Sequence, residues 1–93
     1  MGRIVILGAA ESGVGAAILA KQKGFDVFVS DMGAIKDKYK TQLDAHGIAW
    51  EEGQHTEEKI LNAKEIIKSP GIPREAPMVQ KAMNHGIGVV SEI

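Results

Sequence analysis

Apolar positions along the chain gather into five short runs, each followed by a stretch with helical spacing or turn residues. The first, Arg3-Ile-Val-Ile-Leu-Gly8, is β-branched and lacks polar alternation. A strand wet on one face alternates, so an unbroken apolar run suits a strand covered on both faces, as in a parallel sheet. The second run covers Phe25 to Asp31, and a weaker third lies around Ile48 to Glu51, nearer a sheet edge. A fourth covers Glu65 to Ser69, and a fifth covers Gly88 to Ser91, with Ile87 as its earliest start.

The stretches between these runs read as helices. Ser12 is placed to cap a helix running to about Lys23, with Gly24 as its C′ residue. Ile35, Tyr39 and Leu43 recur four residues apart, giving a second helix one apolar stripe that Gly47 ends. Thr56 before Glu57 and Glu58 marks a third helix start, with carboxylates at the positive end of the dipole. Ile60 and Leu61 then point inward. Pro77 fits the first turn of a fourth helix, whose Val79, Ala82 and Met83 form the buried side before Gly86 stops it. This alternation predicts an α/β fold: a Rossmann-like doubly wound sheet of about five parallel strands with flanking helices and right-handed crossovers.

Ninety-three residues make one domain, residues 1–93, because the length does not hold two cores. The chain stops at Ser91-Glu92-Ile93, straight after the fifth strand and without a closing helix. That ending is expected of an N-terminal fragment of a longer chain. Eleven basic against twelve acidic residues give a net charge of -1, which offers little general attraction to nucleic acid or anionic membrane. Any bound anion must therefore be held locally. With no cysteine there is no disulfide, thiolate nucleophile or thiolate metal site. The apolar runs are far shorter than a membrane span or a signal-peptide core, so a soluble, cytoplasmic protein is expected.

The turn Gly8-Ala9-Ala10-Glu11-Ser12-Gly13 follows a strand and opens a helix, the setting of a nucleotide-binding fingerprint. Gly8 permits the tight turn and Gly13 a close approach of helix to strand, while Ala10 replaces the middle glycine of G-x-G-x-x-G. The helix N-terminus offers free N–H groups to an anion, although the Glu11 carboxylate would repel a pyrophosphate. A plain strand-to-helix turn built of small residues is the bland reading. Asp31 closes the second strand, where an acid accepts hydrogen bonds from ribose hydroxyls or else caps the Met32-Gly33 turn. Ser69-Pro70-Gly71-Ile72-Pro73 follows the fourth strand as a rigid loop at the carboxyl edge of the sheet. It fits a ligand loop and a stiff connection to the fourth helix equally well.

His46, His55 and His85 are widely spaced near helix ends, a pattern that fits dipole or solvent contacts better than a metal site. Trp50 reads as packing, and Glu51-Glu52 and Glu57-Glu58 as solvated faces. Lys36, Lys38 and Lys40 form a basic stretch near the proposed ligand edge. No G-x-x-x-x-G-K-[ST] loop and no nucleophile with an adjacent base is present, so the chain reads as a binding domain with no catalytic residue.

Together these residues resemble the N-terminal domain of the Mur ligases, the ATP-dependent enzymes that build the peptide of bacterial peptidoglycan. Within that family the chain is most similar to the D-glutamate-adding members. The most specific features are Ser69-Pro70-Gly71-Ile72-Pro73 and the ending Gly86-Ile87 with Val89-Val90-Ser91-Glu92-Ile93. The resemblance covers the whole chain. It implies a domain that holds the UDP part of UDP-N-acetylmuramoyl-L-alanine through Glu11, Ser12 and Gly13, through Asp31 and Met32, and through Ser69, Pro70 and Gly71. It also implies a monomer in which ATP and Mg belong to a central domain and D-glutamate to a C-terminal domain. This domain alone would hold no cofactor and would be inactive. Two departures stand out: Met32-Gly33 replaces the Thr-Arg of many relatives, leaving Lys36 as a candidate substitute cation, and Ala10 replaces a glycine. The competing readings are an NAD-binding module of an oxidoreductase and a dimeric, regulatory nucleotide-sensing domain. The oxidoreductase would share the Gly8 turn and Asp31 but leaves the S-P-G-I-P loop unexplained.

Overall fold

The first apolar run becomes the middle of the sheet. In the computed structural model, which describes residues 2–91, strand β1 (Arg3–Leu7) has Val5 and Ile6 fully buried and Leu7 1% exposed. It is followed by α1 (Glu11–Gln22), β2 (Asp26–Asp31), α2 (Asp37–Ala45), β3 (Ala49–Glu52), α3 (Glu57–Ile60), β4 (Glu65–Lys68), α4 (Pro77–Asn84) and β5 (Gly88–Ser91). The five strands are all parallel, in the order β3-β2-β1-β4-β5. The weak third run lies at one edge, as its sparse apolar content implied.

Two cores lie on opposite faces. On one, Ile4, Ile6, Val27 and Val29 pack with Val14 and Ala17 of α1 and Leu43 of α2. On the other, Val5, Leu7, Phe28 and Ile66 pack with Ile60 of α3 and Met78, Val79 and Ala82 of α4. Each large aliphatic side chain taken wholly out of water contributes about 1.5–3 kcal/mol. The central strand feeds both cores, which explains its missing polar alternation.

Three expectations need correction. Ser12 does not cap α1: Ala10 is the N-cap without a side-chain hydrogen bond, and Ser12 lies within the first turn. Met83 is 37% exposed, and Met78 takes its place in the core because the eight-residue α4 aims its stripe through Met78, Val79 and Ala82. Ile35 is buried ahead of α2 and not on it. The helix ends fall as the spacing predicts, with Gly24, Gly47 and Gly86 at positive φ. Glu92 and Ile93 of the distinctive ending lie outside the described residues. No helix among the described residues is long and apolar enough to cross a membrane.

Candidate functional site

The strand order reverses beside β1. The chain goes from β1 to β2 and β3 on one side, then returns to place β4 and β5 on the other. Loops after β1 and β4 diverge at such a point and leave a crevice at the carboxyl edge, where doubly wound folds bind ligands.

Glycine is required twice here. Gly8 has φ +99, and a Cβ on it would stand 2.8 Å from Ser69 Cβ, so the first turn and the S-P-G loop touch through this missing side chain. A Cβ on Gly13 would lie 2.0 Å from the Gly8 carbonyl oxygen, so α1 starts this close to the turn only with glycine there. The backbone fastens both neighbours of β1: Gly8 N–H donates to the Ser30 carbonyl at 2.9 Å and Ser69 N–H to the Leu7 carbonyl at 2.9 Å.

Asp31 combines its two sequence readings in part. Oδ2 accepts from Ala9 N–H at 2.8 Å, and Oδ1 accepts from Gly33 N–H at 2.9 Å. The carboxylate thus caps its own turn and ties it to the glycine turn. Each carboxylate oxygen has a further lone pair for a ligand donor. Met32, beside it, is 60% exposed. Glu11 and Ser12 are exposed at the uncapped N-terminus of α1, and Gly13 is buried.

The S-P-G loop is held from within. Ser69 Oγ accepts from Gly71 N–H at 3.3 Å, and the Ser69 carbonyl accepts from Ile72 N–H at 3.0 Å. Beneath it the buried Lys68 donates from Nζ to the Ile72 carbonyl at 2.8 Å and to Ser91 Oγ at 3.2 Å. The loop is therefore braced by β4 and β5, leaving Pro70 and Gly71 exposed. Lys68 gave no sequence signal beyond being a lysine at the end of an apolar strand.

A cavity of about 490 Å³ opens next to Asp31 and Met32. Leu7, Ile72, Met78 and Val79 make its apolar wall, and His55 and Lys81 stand among its polar groups. Behind His55 lies a buried polar cluster that corrects the reading of Glu51-Glu52 as a solvated face. Ser30 is fully buried in β2, and its hydroxyl donates to Glu51 Oε2 at 2.8 Å. Glu51, 9% exposed, also accepts from Thr56 N–H at 2.8 Å and from the Thr56 hydroxyl at 2.5 Å. Burial works to raise the Glu51 pKa, but the Thr56 and Ser30 hydrogen bonds and the charge of Lys59 outweigh it and hold the carboxyl below 4.5. Glu52 is likewise engaged, accepting from Lys40 Nζ at 2.8 Å and from Ile35 N–H at 2.8 Å.

His55 Nδ1 lies 2.6 Å from Ser30 Oγ. The Ser30 hydroxyl also reaches the Gln54 carbonyl at 3.1 Å, so its one hydrogen has two oxygen acceptors and an Nδ1–H tautomer of His55 would satisfy this contact. Burial pulls the His55 pKa below 6.5, against the opposing attraction of Glu51 and Asp31. His46 and His85 are exposed and direct Nδ1 at carbonyl oxygens one turn back in α2 and α4. Among the described residues no group of three or more His, Asp or Glu is placed to hold a metal ion. Trp50 packs against the α1-side core and donates Nε1–H to Asp44. Of the lysine stretch, Lys40 is bound to Glu52, Lys38 lies over the Tyr39 ring, and Lys36 is exposed at the N-cap of α2.

The glycine turn, Asp31 and the S-P-G loop are thus joined at the switch point, with Asp31 and Met32 lining the cavity while Glu11 and Ser12 line a separate groove beside α1. Residues 2–91 match the family described as Mur ligase MurD-like, N-terminal domain. The chain belongs to this family. It is 70% identical over 93 residues to the UDP-N-acetylmuramoylalanine--D-glutamate ligase of Bacteroides thetaiotaomicron, covering 100% of this chain and 21% of that protein. It is 68% identical over 93 residues to the ligase of the same name from Bacteroides fragilis, again 100% of this chain and 21% of the relative. The chain therefore spans about a fifth of the length of these curated relatives. In fold it matches a pseudomurein peptide ligase type C from Methanothermus fervidus with a TM-score of 0.85 at 24% identity, over 98% of this chain and 19% of that one. As a MurD-like N-terminal domain, the chain has the parallel sheet of the Mur ligases, and nothing in these comparisons favours the oxidoreductase reading.

Proposed function

We propose that residues 1–93 are the leading domain of a UDP-N-acetylmuramoylalanine--D-glutamate ligase and hold the UDP part of UDP-N-acetylmuramoyl-L-alanine at the carboxyl edge of the sheet. The observation that carries this reading is the meeting of the glycine turn, Asp31 and the S-P-G loop at the switch point. The uncapped N-terminus of α1 at Glu11, Ser12 and Gly13 faces the diphosphate with N–H groups and a positive dipole end. Asp31 and Met32 border the cavity that takes the uridine, and the loop of Ser69, Pro70 and Gly71, which leads into Ile72 of the cavity wall, supplies the remaining contacts.

The rest of the reaction belongs outside these residues. The sequence carries no G-x-x-x-x-G-K-[ST] phosphate loop of the kind that takes ATP and its Mg. We assign both to a central domain and D-glutamate to a C-terminal domain of the same cytoplasmic, monomeric chain. The contribution of residues 1–93 is to bind and orient the nucleotide end of the substrate.

An amide-NMR titration of the 93-residue chain with UDP, and separately with NAD, tests the reading. Millimolar binding, worth about 4 kcal/mol, is enough to detect. Shifts with UDP at Ser12, Asp31 and Gly71 and little response to NAD are expected. Shifts with NAD at Gly8 to Gly13 and none with UDP would overturn it.

A further inference from the structure

Among the described residues, the α1-side face of the sheet is left open beside β4 and β5. Register pairs Ile67 with Val90 and Ile66 with Val89. Ile66 and Val89 pack into the α3–α4 core, so Ile67 and Val90 face the α1 side. There Val90 is 44% exposed, and so is Leu19 of α1 at 54%. Beside Leu19 runs a largely apolar groove of about 470 Å³, floored by Ile67 and walled by Gly15, Ala16 and Leu19, with Glu11 and Ser12 of the first turn of α1 also lining it. An all-parallel sheet is stable in water only with both faces covered, so an open strip beside β4 and β5 calls for a cover.

We propose that the segment directly after residue 93 in the complete protein seats in this groove as an amphipathic helix alongside α1. β5, the last described element, lies one strand beyond Ile67 of the groove floor, and the curated relatives are about five times the length of this chain. A segment joined to the end of β5 is thus tethered one strand from the groove, at an effective concentration in the millimolar range. The dimensions agree: a strand of four or five residues is about 13–17 Å long, which a helix of about ten residues spans. No heavy atom lies within 4 Å of the place where a Gly15 Cβ would be, so an incoming helix meets no side chain there. Lys23 and Glu65 at the rim offer both signs of charge to its polar flanks. A second copy is the poorer occupant, because a stable dimer needs about 1,000 Å² or more of buried surface and this strip is one helix wide. The inference rests on the chain being the leading part of a longer ligase, and not on UDP binding, which the NMR titration tests separately.

The chain contains no cysteine, so Leu19→Cys gives a single reporter in residues 1–93. Its alkylation rate is read by peptide mass spectrometry in three proteins: residues 1–93, the same extended by about 20 residues, and the full-length chain. We expect labelling to slow at least tenfold in both longer proteins, while Met83→Cys on the opposite face labels equally in all three. Gly15→Phe, which fills the groove, should restore fast labelling at position 19 in the extended chain. In the unsubstituted proteins, hydrogen exchange at β4 and β5 should slow on the same extension, which keeps the test independent of the cysteine variant. Equal rates in all three proteins would overturn the proposal. So would protection that appears only at full length, or protection in residues 1–93 that grows with concentration.

Discussion

The two halves of the sheet are finished to different degrees. Around β1 and β2, both faces are covered, and Asp31 and the Ser30–Glu51–His55 cluster bind each loop to its neighbour. Around β4 and β5, one face is covered by α4 and the other is left open, with Lys68 and the S-P-G loop as the chief fastening at the top. In the proposed UDP site, the first half is a prebuilt cradle. The second would supply one wall of that cradle and, in the docking proposal, offer its back to the following segment. A site shared in this way keeps its shape only if the junction between the halves is rigid, and that junction is Gly8, Gly13 and Ser69.

The largest effect should come from breaking the junction. Gly13→Ala places a methyl group 2.0 Å from the Gly8 carbonyl oxygen, which is backbone and cannot give way as the end of a flexible side chain would. Overpacking of this kind costs about 1–3 kcal/mol, and here the upper end is expected. Urea denaturation of the 93-residue chain should show it, together with loss of the UDP shifts at Ser12 and Gly71.

Next comes the buried cluster behind the cavity. Glu51→Gln removes the charge that receives three hydrogen bonds and should cost about 1–3 kcal/mol near neutral pH. It should also change the acid limb of stability. The folded Glu51 pKa is below 4.5, so its stabilisation is complete above that value and is lost as pH falls through the folded pKa. Urea midpoints between pH 2 and 5 should therefore fall less steeply in the variant.

His55 adds a separate, gentler slope. Its folded pKa is below 6.5, so the unfolded chain takes up the proton first as pH drops. Its contribution is complete above about pH 6.5 and is lost on descending toward the folded pKa. Stability of the parent chain should rise with pH up to this point and then level, and His55→Gln should flatten that rise. An unchanged slope in the variant would show that the ring is not held neutral by burial.

The junction and the cluster also differ in how far the sequence reveals them. The strands, the glycine turn and the S-P-G loop were legible because each announces itself locally, by an apolar run or by residues with special backbone freedom. The cluster was not. Ser30 sits inside an apolar run where a small polar residue looks neutral, and Glu51 and His55 meet it only through the β2–β3 register. Glu51-Glu52 resembled a solvated pair because adjacent acids usually are one, yet strand alternation points Glu51 inward to Ser30 and Thr56. The register also explains Lys68, which became a brace only once Ser91 was laid beside it. Asp31 was half legible: its place at a strand end suggested either a cap or a ligand contact, and the bond to Ala9 N–H needed the neighbouring strand.

The smallest expected effect sharpens the contrast between the covered and open faces of a single helix. Val14 and Leu19 both belong to α1, but Val14 is 2% exposed in the core and Leu19 is 54% exposed over the groove. Val14→Ala should cost about 1–2 kcal/mol, for the buried methyl groups and the space they leave. Leu19→Gln in residues 1–93 should stay within about 0.5 kcal/mol of the parent, because an exposed leucine contributes little and glutamine is nearly as good a helix former. In the full-length protein the same Leu19→Gln substitution should become costly, since the position is then covered. A Leu19→Gln penalty that is the same in the short and the long protein would mean that the open face stays open, and that the two halves of the sheet differ for a reason other than docking.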